Sequence, residues 1–241
     1  MATSESFALK DSRPCRLRLG RTGPHRFGGQ AGYRGITPPH ADTPLHLLLL
    51  LDLADADCPV KSDGSTRYLP LFYPLKYGGG GPEVQYAVLS DTEVRILYLS
   101  DEAPDAEDHQ YVRVAQLPSC PAEILPLRYE EARILAFGDA DPYFQPDKAD
   151  LAILEELERE HPLILIGGDR RLPVNAGGVV CRNPDCEFYS RHLLVDIIAS
   201  IPPVPVNGAD DFWYEYRGGH VDFYFCLCRY CHTIIAFNVA G

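Results

Sequence analysis

Apolar residues in this chain fall in short runs separated by turn chemistry, and within most runs the period is that of a strand. Residues 45–53 are almost continuously apolar and read as a buried strand, and residues 68–75 as a second. Residues 84–89 and 94–99 flank Ser90-Asp91-Thr92-Glu93, which suits a hairpin loop. In the later of these, Val94, Ile96 and Tyr98 alternate with Arg95 and Leu97, the pattern of a half-buried strand. One segment has the helical period: Asp147 can cap it, Asp150 sits in its first turn, and Leu151, Leu154 and Leu157 recur before His161-Pro162 ends it. The first 18 residues are polar and aperiodic and predict a loose N-terminal arm.

The order of motifs repeats. Phe27-Gly28-Gly29 is followed by His46-Leu47-Leu48 and then Leu71-Phe72-Tyr73. Ile166-Gly167-Gly168 is followed by His192-Leu193-Leu194 and then Phe223-Tyr224-Phe225. This predicts a mainly β or α+β fold in which a duplicated β-unit forms one pseudo-symmetric domain. The expected division is an arm at 1–18, a first β-unit at 19–145, a connecting helix at 146–162 that lays its leucine stripe on the sheet, and a second β-unit at 163–241.

Five of the eight cysteines crowd the second unit, and this adds chemistry to the picture. Cys181 and Cys186 face each other across Asn183-Pro184-Asp185, and Cys228 and Cys231 across Arg229-Tyr230. Two such knuckles from the ends of one β-unit point to a tetrahedral zinc site with the ligands Cys181, Cys186, Cys228 and Cys231. Cys226 lies on the same strand face as Cys228 and is an alternative ligand, and His220 and His232 are further stand-ins. Four thiolates leave no open coordination position, so the expected zinc is structural. Cys15, Cys58 and Cys120 are isolated and read as ordinary thiols.

Charge narrows the partners. The first 40 residues carry seven Lys/Arg against Glu5 and Asp11, and the rest of the chain carries 15 basic against 32 acidic residues. An acidic body repels phosphate backbones, and residues 177–241, with four Arg and seven Asp/Glu, are acidic too, which argues against nucleic-acid binding. The basic arm either meets an acidic partner or lies on its own acidic body. The Gly78-Gly79-Gly80-Gly81 run lacks the Lys-Ser/Thr of a phosphate-binding loop and reads as a flexible hairpin tip, and the five carboxylates between Asp101 and Asp108 read as a solvated loop. No apolar run is long enough to span a membrane and no secretory leader precedes the first strand, so the expected location is cytoplasmic, with reduced thiols.

Phe27-Gly28-Gly29 with the prolines after it, the strand ending Leu51-Asp52-Leu53, and Leu69-Pro70-Leu71-Phe72-Tyr73 resemble the YwqG-like domain of unknown function found widely in bacteria. Ile166-Gly167-Gly168, the Cys181/Cys186 pair and Tyr224-Phe225-Cys226-Leu227-Cys228-Arg229-Tyr230-Cys231 are similar to zinc-containing relatives of that domain, among them the programmed-cell-death-2-type chaperones of a ribosomal protein. The resemblance covers roughly residues 20–240 and implies a chaperone-like or immunity-type role.

The leading expectation is therefore a zinc-stabilised module that binds a basic protein client, with Trp213 and Tyr214 as the aromatic anchors. An enzyme is the alternative; the common nucleophile, metalloprotease and dinucleotide motifs are absent, leaving only an unsupported pairing of a free cysteine with His192 or His220. A nucleic-acid-binding zinc ribbon is the third reading.

Overall fold

A computed structural model describes residues 5–9, 13–20, 22–30, 32–39, 44–64, 66–75, 83–100, 117–138, 145–159, 163–168, 172, 178–191, 195–202 and 221–240. In chain order its strands are β1 (Phe7–Leu9), β2 (Cys15–Leu19), β3 (His25–Phe27), β4 (His46–Asp52), β5 (Val60–Ser62), β6 (Tyr68–Tyr73), β7 (Val84–Ser90), β8 (Glu93–Leu99), β9 (Cys120–Pro126), β10 (Ile164–Ile166), β11 (Val195–Ile201), β12 (Val221–Cys228) and β13 (Ile234–Ala240). Two helices, α1 (Tyr129–Gly138) and α2 (Lys148–Arg159), lie between β9 and β10. β1 pairs with β5; the other eleven strands form one antiparallel sheet in the order β6-β4-β3-β9-β2-β10-β11-β12-β13-β7-β8.

That sheet curls until its ends meet. β6 begins the order, yet it touches β7 and β13 from the far end. The buried Tyr86 of β7 closes the seam: its hydroxyl donates to the Pro70 carbonyl and accepts from the Phe72 N–H, both at 2.9 Å. A side chain thus satisfies the open edge of β6, where stranded backbone groups would otherwise be costly. The main core holds Phe27, Leu49, Leu51, Leu71, Phe72, Tyr86, Phe223 and Phe225, most of it on the inner face. On the outer face α1 and α2 bury Leu127, Ala132, Leu157 and Leu165 together. Elsewhere on the outside, Val179, Cys181 and Cys186 pack over Tyr224, Cys226, Cys228, Ile235 and Phe237.

The strands expected over 45–53, 68–75, 84–89 and 94–99 are present as β4, β6, β7 and β8. The loose arm is corrected. Within residues 1–18, Phe7–Leu9 is a strand, and β2 lies deep in the sheet between β9 and β10. Cys15 and Leu17 turn inward while Arg16 and Arg18 lie half-buried outside, a two-residue alternation too short to stand out among polar flanks. Two arginines of the basic first 40 residues meet the chain's own carboxylates: Arg18 lies 3.7 Å from Glu123 and Arg34 2.7 Å from Glu93.

Strands pair across the expected boundary between units at 145/163. β2 pairs with β10, and the β7–β8 hairpin joins the sheet through β13. α1 is a helix that the hydrophobic period does not announce. Its entry is held by Glu131, whose side chain accepts from the Arg128 N–H at 2.7 Å, half of a capping box without the usual Ser or Thr. α2 is capped as expected: Asp147 Oδ1 accepts from the N–H groups of Ala149 and Asp150 at 2.8 and 2.9 Å. Of its expected leucine stripe Leu157 is buried, Leu154 half-buried and Leu151 exposed, and the inward face is completed by buried Asp150 and half-buried Ile153.

Two local structures recur on either side of the β2·β9 pair. Gly28 and Gly29 take φ of 63° and 81°, and Gly167 and Gly168 take 65° and 87°. The Gly28 N–H bonds the Leu48 carbonyl and the Gly167 N–H the Ile198 carbonyl. Leu48 and Ile198 are the bulged residues where the β4·β6 and β11·β12 ladders shift register. Beyond each bulge Leu49 faces Leu71 and Ala199 faces Phe225, so the register sets Leu71 beside Phe225. The sequence order had set it beside Phe223. The other proposed landmark, His192-Leu193-Leu194, lies outside the described residues, as do the 78–81 glycines and the 101–108 carboxylates.

Candidate metal centre

β12 runs Val221–Cys228 into a tight turn and returns as β13, which places Cys228 and Cys231 at the end of a rigid hairpin. The His232 N–H closes this knuckle on the Cys228 carbonyl at 2.9 Å. The first knuckle is a surface loop. The Asn183 carbonyl accepts from the Cys186 N–H at 3.0 Å, and the Cys181 carbonyl from the Ser190 N–H at 2.8 Å. Ser190 and His232, at the exits of the two turns, are the non-glycine residues with left-handed φ among the described residues, at 58° and 56°.

The two turns bring four sulfurs together. Cys181 Sγ lies 3.6 Å from Cys231 Sγ, Cys186 Sγ lies 3.9 Å from Cys228 Sγ, and all four are within 4.8 Å of one another. A tetrahedron with Zn–S near ~2.3 Å has sulfurs about 3.8 Å apart, so the observed spacing is that of a ligand set. Cys181, Cys186 and Cys228 are buried and Cys231 is half-buried.

Thiols this close titrate together. Hydrogen bonding to Cys228 and Cys231 pushes the Cys181 thiol far up, and burial pushes Cys186 to about 11. Cys231 goes the other way: hydrogen bonds from Cys181 and Cys228, helped by Thr233, draw its thiol well down. Thr233 Oγ1 lies 3.1 Å from Cys231 Sγ, where either group can donate, and accepts from Asn183 Nδ2 at 3.1 Å. This pair links the knuckles independently of any ion.

The set contains all four sequence-predicted ligands. Cys226 is buried on the same face as Cys228 but outside the set. His232 is turned away: Nε2 lies 3.0 Å from Ser6 Oγ and Nδ1 2.9 Å from the Phe7 carbonyl oxygen, so its ring anchors β1. His220, His192, Trp213 and Tyr214 lie outside the described residues.

Sequence reasoning missed three polar residues that frame the site: Gln85, Asn183 and Thr233. Gln85 carried a readable signal, since a lone amide in the apolar run 84–89 must find partners when buried. Asn183 looked like turn chemistry alone, and nothing in the sequence ties it to Thr233.

The chain matches no protein-family model, no curated protein and no solved structure. Among the described residues, no helix is long and apolar enough to cross a membrane.

Proposed function

We propose that the four thiols hold one structural zinc ion and that the protein is a zinc-stabilised module that binds a basic polypeptide. The observation that carries this reading is the set of four cysteine sulfurs, all within 4.8 Å of one another. Thiolate sulfur is the donor that zinc favours in closed tetrahedral sites, and four of them leave no position for a water or substrate. The ion's part is then to tie the 181–186 loop to the β12–β13 hairpin. A site of this kind suits a reducing compartment, which supports the cytoplasm as its location.

The client's chemistry follows from charge. A formal net charge of −12 favours encounter with a basic surface and disfavours nucleic acid. The motif resemblance to YwqG-like domains and their chaperone relatives supports the same role, chaperone-like or immunity-type.

The reading also takes the sheet as a duplicated β-unit, with boundaries that differ from a split at the helix. The first copy is β3, β4, β6 and β9, and the second is β10, β11, β12 and β2. The paired glycines, the paired bulges and their hydrogen bonds to Leu48 and Ile198 support it. The local two-fold would pass through the Arg18–Glu123 pair of β2·β9.

Affinity capture of the full chain from its own cells, with intact mass measurement of what co-purifies, tests the binding role. The expected partner is a polypeptide of high pI, with association that slows as salt rises. Trp213→Ala is expected mainly to speed dissociation. Capture of no partner, or a substrate turned over at a rate that one side-chain change abolishes, overturns the reading in favour of an enzyme.

A further inference from the structure

Gln85 is completely buried in β7, a strand that supplies no ligand, and its side chain leaves the sheet on the outer face, level with Ile235 of β13. Its Nε2 donates to the Val180 carbonyl at 2.7 Å, and its Oε1 accepts from the Arg182 N–H at 2.7 Å. The second Nε2 hydrogen goes to Glu83 Oε1, so donors and acceptor are all used. Val180 and Arg182 are the residues on either side of Cys181. The amide therefore pairs with the backbone around Cys181 as a neighbouring strand would, one donor and one acceptor on the same edge.

This placement matters because the two knuckles differ in support. The Cys228/Cys231 turn is built into a hairpin whose ladder runs from Val221↔Ala240 to Leu227↔Ile234. The 181–186 turn belongs to no strand, and Gln85 ties its start to the sheet. Buried amide hydrogen bonds of this kind hold only when both partners are in place, since an unmet carbonyl or N–H there is costly.

We propose that Gln85 is a positioning residue of the metal centre: by gripping the backbone on both sides of Cys181 it holds the first knuckle at ligand distance from the second before an ion arrives. The inference rests on the metal reading above. Preorganisation is expressed in affinity, because an ion that must first order its ligands binds more weakly by the cost of ordering them. Residues that orient ligands from outside the coordination sphere commonly contribute about ten- to a hundredfold to metal affinity.

The test is zinc competition against a chromophoric chelator, with melting temperatures measured with and without zinc. Gln85→Met keeps side-chain bulk and removes both hydrogen bonds; Gln85→Ala is a second variant that avoids crowding. Val88→Ala, a truncation in the same strand on the inner face, is the packing control. For both Gln85 variants zinc is expected to bind about ten- to a hundredfold more weakly, with a smaller zinc-induced rise in melting temperature. Val88→Ala is expected to lower both melting temperatures together and leave zinc affinity unchanged. Gln85 variants that behave like Val88→Ala overturn the inference and leave the metal site standing. A wild-type chain that takes up no zinc overturns both.

Discussion

Gln85 and Tyr86 are consecutive residues of β7 that point to opposite faces, and each replaces a missing strand. Tyr86 satisfies β6 at the inner seam, and Gln85 satisfies the turn at Cys181 outside. His25 shows the same economy. It is almost completely buried; its Nε2 donates to Asp55 Oδ2 at 2.8 Å and its Nδ1 accepts from the Asp52 N–H at 3.0 Å. Both ring nitrogens are occupied, which leaves neither to act as a catalytic base. Burial holds its pKa below the ordinary 6.5, outweighing the opposing pull of Asp55 and Asp52, while Lys61 adds to the lowering. The unfolded chain therefore takes up a proton that the folded chain resists. Stability from neutral His25 is present above 6.5 and is lost as pH falls through that value toward the folded pKa. Melting temperature measured from about pH 7.5 to about pH 5.5 is expected to fall more steeply for the wild type than for His25→Gln at equal zinc. Parallel slopes would show that His25 contributes no such term. Tyr86 and His25 are not distinctive in the sequence, and the lone amide of Gln85 announces a need for partners without naming them, because those partners are backbone groups or carboxylates brought together only by the curl of the sheet.

Elements were legible where the local pattern carried them and obscure where tertiary pairing did. The apolar run of β4, the β7–β8 hairpin and the Asp147 cap of α2 are each complete within a few residues. β2, β3 and β10 have five, three and three residues and owe their existence to neighbours on both sides. The four clustered cysteines were readable because turn chemistry between paired cysteines is local. Cys228 rather than Cys226 joins the four-sulfur cluster because Cys228 closes β12 at the turn, while Cys226 stays two residues inside. Replacement of Cys186 by Ser is therefore expected to abolish tight zinc binding and loosen the 181–186 turn, read as loss of amide exchange protection there. Cys226→Ser is expected to leave the zinc content at wild-type level and cost only core packing. Loss of metal from Cys226→Ser together with retention in Cys228→Ser would reverse the ligand assignment.

At the scale of the molecule, one curled sheet is covered outside by two caps, the α1–α2 pair over Leu165 and the metal-site loops over β11–β13. The helical cap is held by apolar burial, with Arg128 and Arg133 reaching Glu131, Glu156 and Asp150 at its surface. In the other cap, Cys181 and Cys186 lie against Cys226 and Cys228 of the sheet, so cysteines make up much of the contact. Its stability should then depend on the ion, as in small domains where metal binding and folding are one event. Elemental analysis of the purified full chain, set against its protein concentration, tests this most directly. The account predicts close to one zinc per chain, released when a strong chelator meets the protein. A chain purified gently without zinc, whose eight cysteines all react freely with a thiol reagent, would contradict it.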